Sequence, residues 1–181
     1  MTIIYSNMGD VDCSLLPLMW RGLSNARTIE ITPRSVDWES QVHAALAAET
    51  GTLILTGHGT QYSLLFPDIQ KGDYIIHENN MDDIMARNVF CCWCNASEFC
   101  AEHHLSAVAT SMFISNVDEA YNCGYCEYDQ SDINAVCTAF YNEINGLLSR
   151  RVPLPQWVQS LQRHFANGID VFNRRGVMDF T

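Results

Sequence analysis

The chain has 181 residues, 48% of them apolar and 17% charged, the composition of a folded globular protein and not of a disordered segment. Ten Lys and Arg stand against 21 Asp and Glu, a formal net charge of −11, so a phosphate-tracking surface and a nucleic-acid partner are not expected. No window approaches the roughly 18 uninterrupted apolar residues of a membrane span, and "MTIIYSNMGD" lacks the basic and long apolar regions of a signal peptide. A cytosolic protein is therefore expected, with no membrane association and with its eight cysteines kept mainly as thiols.

No low-complexity segment, charge block or internal repeat divides the chain, so one domain over residues 1–181 is expected. "TIIYS" reads as a short strand closed by Asn7 and Gly9. Residues 13–24 read as a short helix weakened by Pro17 and Gly22, and "RTIEIT" as a second strand ended by Pro33. "DWESQVHAALAAE" is a helix with Asp37 as its N-cap and Gly51 just past its end. "TLILT" is the continuous apolar run of a strand buried on both faces.

Further on, "MDDIMARN" is a helical turn, "VFCCW" a buried strand, "EFCAEHHL" a helix and "SAVATSMF" a strand. "DINAVCTAFYNEINGLLSRR" is a long helix, and "PLPQWVQSLQRHFA" a final one with proline in its first turn. Strands alternating with helices imply an α/β fold, a mostly parallel sheet covered by helices on both faces. In such sheets functional sites form at the carboxyl ends of the strands. His58 follows "TLILT" there, and Cys94 follows "VFCCW".

A cysteine nucleophile needs a base or cation that favours its thiolate, and backbone N–H donors for the oxyanion formed on attack. His58 supplies the first if its strand neighbours that of Cys94. Gly59, with no side chain in the way, and the amide of Cys94 itself are the natural donors. Cys92 shares a face with Cys94 two residues earlier on the strand and is the second-ranked nucleophile.

"LILTGHG", "VFCCWCNAS", "LSAVATSMFISNVDEA" and "VCTAFYNEINGLLSRRVPLPQWVQSLQR" resemble, in that order and over roughly residues 1–165, the CHAT domain. This caspase-like family is often fused to tetratricopeptide repeats and shares a clan with caspases, separases, gingipains and legumains. The resemblance implies a caspase-like three-layer sandwich and a cysteine endopeptidase that cleaves peptide bonds through an acyl-enzyme. It implies His58 as general base or ion-pair partner, Cys94 as nucleophile and Gly59 as an oxyanion donor. The substrate would be a protein or peptide, with no cofactor and no metal at the site.

Many relatives hold a basic residue in an acidic pocket lined by two loops; the corresponding positions here are Asp10 and Asp12, and Asp118 and Glu119. Two features depart from the family. Trp93 stands where a small residue usually precedes the nucleophile, and its bulk is expected to narrow or fill the site. No repeats are attached, so any activating protein would be a separate chain.

Two other readings stay open. The blocked cleft that Trp93 suggests would make the protein a catalytically inactive interaction module. Alternatively, Cys91-x2-Cys94 and Cys123-x2-Cys126, with Cys100, His103 and His104 between them, match the spacing of a zinc site. Against zinc, Cys91 is expected to point to the opposite face of its strand from Cys94. His43, His77 and His164 are expected to serve packing or the surface.

Overall fold

The computed structural model describes residues 1–163 and 165–181, and its strands alternate with helices as expected. In chain order the strands are β1 (Thr2–Ser6), β2 (Arg27–Ile31), β3 (Thr52–Thr56), β4 (Gly59–Thr60), β5 (Ser63–Leu65), β6 (Tyr74–Ile76), β7 (Asn88–Cys92), β8 (Val108–Thr110) and β9 (Val177–Asp179). The helices are α1 (Val11–Ser14), α2 (Trp38–Ala48), α3 (Ala96–Glu102), α4 (Val117–Asn122), α5 (Gln130–Ser149), α6 (Trp157–Leu161) and α7 (Gly168–Arg175). No helix among the described residues is long and apolar enough to cross a membrane.

The main sheet runs β2-β1-β3-β7-β8-β9, parallel except for β9, which pairs antiparallel with β8. Alternation along each strand divides its side chains between two cores. Ile3, Tyr5, Ile54, Phe90, Cys92 and Val108 face α5, while Ile4, Leu53, Leu55, Val89, Cys91 and Ala109 face α2 and α3. Burial on both faces is why these strands read as unbroken apolar runs.

The long α5 presents Ile133, Val136, Cys137, Phe140, Tyr141, Ile144 and Leu147 as one buried stripe. Each fully buried large side chain of this kind contributes roughly 1.5–3 kcal/mol. Trp157 of α6 is buried against Phe90, ring centroids 5.2 Å apart. The α/β class with a mostly parallel sheet is thus present, with a core on each face.

Several local expectations are corrected. The helix expected over 13–24 is cut by Pro17 into α1 and a 3₁₀ turn, Leu16–Met19. Asp37 stands at the N-cap of α2, yet its backbone is left-handed (φ 54°) and its side chain makes no capping hydrogen bond. The helical turn expected at 81–88 is instead a 3₁₀ segment, Glu78–Asp83. The strand expected over 106–113 shrinks to β8; Ser111 just beyond it donates to Gly176 O (2.8 Å), in register with the β8–β9 pairing.

Four features were not expected from sequence: the small antiparallel sheet β4-β5-β6, the edge strand β9, and the helices α4 and α7. Strands of two or three residues carry too little alternation to register as a period. The chain moves from β1 outward to β2, then returns to β3 and continues the other way through β7 and β8. The carboxyl ends of β1 and β3 therefore flank the point where the strand order reverses, the usual place for a crevice.

Candidate active site

Beyond Thr56, the last residue of β3, the chain must turn away from β1. Gly57 makes the turn at φ 143°, and a Cβ there would lie 2.5 Å from Ser6 Cβ, so only glycine fits. Gly57 N–H donates to Cys92 O (3.3 Å), which ties this turn to the end of β7. His58 emerges beside the loop that follows β1. Its Nε2 lies 2.8 Å from Asp10 Oδ2 and 3.9 Å from Asp12 Oδ2.

Asp10 is also the N-cap of α1, where its Oδ1 accepts from Cys13 N–H (2.9 Å). Burial pushes the Asp10 carboxyl up, but the Cys13 amide and the neighbouring His58 outweigh it and bring the group below its ordinary range.

Cys94 sits in the turn after β7. Trp93 O accepts from Thr110 Oγ1 (2.8 Å), Asn95 is left-handed (φ 65°), and α3 begins at Ala96. The Cys94 thiol lies 3.4 Å from Phe113 O and 3.7 Å from Glu119 Oε1, both acceptors. Burial, then the Glu119 carboxylate, push this thiol up to about 12. In this conformation it is a protonated donor. Among the described residues no hydrogen bond joins His58 to Cys94; each is held by acidic neighbours instead.

Both nevertheless line the same small cavity, about 30 Å³, together with Asp12, Cys13, Glu119 and Tyr141. Two carboxylates, Asp12 and Glu119, stand in its lining. Asp12 Oδ2 accepts from Asn116 Nδ2 (2.7 Å), while Asp12 Oδ1 is buried with no hydrogen-bond partner. Glu119 Oε2 accepts from Ser115 N–H (2.7 Å) and Oγ–H (2.8 Å). Burial raises the Glu119 carboxyl above its usual range against these donors, and Asp12 adds to the rise.

Of the other residues singled out from sequence, Gly59 opens β4 opposite Leu64. A Cβ at Gly59 would fall 2.0 Å from Trp93 Cδ1, so packing alone demands glycine there. Trp93 is among the residues that line the cavity. Its side chain is buried in the α2/α3 core and its Nε1 donates to Thr60 O (3.0 Å). Asp118 is exposed on α4 and does not line the cavity.

Cys92 does line it, buried at the end of β7, with its thiol pushed up to about 12 by burial. The two CxxC pairs do not come together as one ligand set: Cys91 is buried in the α2/α3 core, whereas Cys94 and Cys123 pack against the α5 core and Cys126 is exposed. Among the described residues, one group of three or more His, Cys, Asp or Glu brings its ligand atoms within 4.8 Å of one another: Asp10, Cys13 and His58.

His43 is exposed beside Asp83 (3.0 Å), His77 caps the 3₁₀ segment Glu78–Asp83, and His164 lies outside the described residues. The pairing of Asp10 with His58 and the presence of Cys13 were not anticipated. The available signal was "GDVDCS" directly after β1, where an N-cap Asp is followed one turn later by a cysteine. The chain matches no protein-family model, no curated protein and no solved structure.

Proposed function

We propose that the protein is a caspase-like cysteine endopeptidase in a latent conformation, with Cys94 as nucleophile and His58 as its base. The observation that carries this reading is that His58 and Cys94 leave neighbouring strands, β3 and β7, at the carboxyl edge of the sheet and line one cavity. The mostly parallel sheet with helices on both faces is what the resemblance to CHAT domains implies. In the reaction, His58 takes the thiol proton and Cys94 Sγ attacks the peptide carbonyl carbon. The Gly59 and Cys94 amides hold the oxyanion. Collapse expels the amine, which takes the proton from imidazolium; water, deprotonated by His58, then hydrolyses the thioester. Asp10 orients the imidazole through its 2.8 Å contact.

Asp12 and Glu119 give the cavity its negative lining, which suits the side chain of an Arg or Lys in the substrate. At about 30 Å³ the cavity does not admit such a side chain until the loop carrying Phe113 and the following helix α4, which carries Glu119, move, which is the step a separate activating protein would drive. A second reading, an inactive interaction module, is favoured by the thiol held at about 12.

The two are separated with a quenched peptide library containing Arg or Lys, incubated with the native chain and with Glu119→Gln. Cleavage that disappears on adding Cys94→Ala or His58→Ala supports the peptidase. Cleavage that survives Cys94→Ala or His58→Ala rejects it.

A further inference from the structure

We infer that Asp10, Cys13 and His58, joined by Asp12, form a binding site for a zinc-like divalent metal ion beside Cys94. The three ligand atoms already lie within 4.8 Å of one another. Zinc bonds to N, O and S of about 2.0–2.3 Å at tetrahedral angles place ligand atoms roughly 3.2–3.7 Å apart. Asp10 Oδ2 lies 2.8 Å and Asp12 Oδ2 3.9 Å from His58 Nε2, so Asp10, Cys13 and His58 form the first three ligands, and Asp12, which stands outside their 4.8 Å cluster, joins as a fourth only by moving toward them.

The local chain prepares it. Asp10 caps α1 through Oδ1 and leaves Oδ2 for the ligand, and that capping bond places Cys13 one turn on, on the same side. A second observation is consistent with a cation: Asp12 lines the cavity with Cys13 and His58, and while its Oδ2 accepts from Asn116, its Oδ1 is buried without a hydrogen-bond partner. A buried carboxylate oxygen of this kind is costly unless a cation meets it.

The donor set selects the ion. One imidazole, one thiol and two carboxylates suit zinc, whereas magnesium and calcium take oxygen ligands almost alone. On binding, the Cys13 Sγ proton leaves to solvent and its Sγ, which now donates to Ser6 O (3.5 Å), turns to the ion. Neutral His58 binds through Nε2. The ion enters from the solvent side, where the His58 and Asp10 side chains are 25% and 38% exposed. Occupancy takes His58 away from Cys94; this consequence, unlike the site, rests on the peptidase reading.

The test is a titration of the full chain with cobalt(II), whose bonds to thiolate give a near-ultraviolet charge-transfer band. One equivalent should bind, with the band present, and zinc should displace it. Cys13→Ser should abolish the band and Cys94→Ala should leave it unchanged. Asp10→Asn should weaken binding by more than the roughly 10–100-fold that loss of an outer-shell partner costs. Circular dichroism reports whether Cys13→Ser still folds; if it does not, Asp10→Asn and His58→Ala decide the matter. Absence of stoichiometric cobalt, a band that survives Cys13→Ser, or one lost in Cys94→Ala overturns the site. No peptide cleavage enters this readout, so a failed peptidase assay leaves it intact.

Discussion

Replacing Glu119 by glutamine removes one negative charge beside Cys94 while keeping the side chain's shape. Glu119 Oε1 is 3.7 Å from Cys94 Sγ. Two unit charges about 4 Å apart at an effective dielectric of about 20 interact by roughly 4 kcal/mol, equivalent to about three pKa units. Solvent that reaches the half-buried thiol makes this an upper bound, and about one unit the lower expectation. Burial, the larger cause of the value near 12, stays in place.

Thiolate nucleophilicity falls with pKa along a slope of about 0.4–0.5, so a drop of about one to three units becomes roughly 4- to 40-fold faster alkylation at about pH 8. The assay is iodoacetamide labelling under pseudo-first-order conditions, with the Cys94 peptide quantified by mass spectrometry against exposed Cys126 as internal standard. A Cys94-to-Cys126 rate ratio within about twofold of the native protein would show that Glu119 does not restrain the thiol.

Gly59→Ala places a Cβ 2.0 Å from Trp93 Cδ1 and 2.7 Å from Ser63 O, and the backbone oxygen leaves no room for easy repacking. Overpacking of this kind costs about 1–3 kcal/mol, or a Tm fall of roughly 2–12 °C for a chain of this size, read by calorimetry. An unchanged Tm would refute the contact. Asp10→Asn keeps the α1 cap and removes the charge facing His58. The Asp10 carboxyl is lower in the folded protein than its ordinary 3.8, so its stabilising contribution is present above that value and lost as pH falls through the folded one. Urea midpoints at about pH 7 and about pH 3 should therefore differ less in Asp10→Asn than in the native chain, and equal differences would remove the assignment.

The class of fold was legible because burial on both faces leaves unbroken runs such as "TLILT" and "VFCC", and breakers bound them. The opposite facing of Cys91 and Cys94 followed from the two-residue period and is found in the two cores. Trp93 shows the limit of the same reasoning. One residue before Cys94, its side chain falls on the other face by that period and packs against Gly59, although the residue still borders the cavity.

The Asp10–His58 contact joins residues far apart in sequence and depends on how two loops leave β1 and β3. Alternation along a strand says nothing about a loop's direction. The same limit hid Cys13, whose role depends on Asp10 capping a helix of only four residues.

The groups that restrain the thiol and those that restrain the imidazole are not independent. Residues 113–116, which carry the carbonyl and approach to Glu119 that hold Cys94, are fastened at three points. Asn173 exchanges two hydrogen bonds with the Ile114 backbone (2.8 and 2.9 Å), Gln130 donates to Ser115 O (2.9 Å), and Asn116 donates to Asp12 Oδ2 (2.7 Å). The first two anchors come from α7 and α5 in the core; the third comes from the loop that faces His58. Asp12 thus touches the Cys94 loop through Asn116 and approaches His58 to 3.9 Å. A cation drawn to Asp12, whether a metal ion or a basic side chain, competes with Asn116 for that carboxylate. Asp12 is thereby the carboxylate that connects the segment over Cys94 with the surroundings of His58.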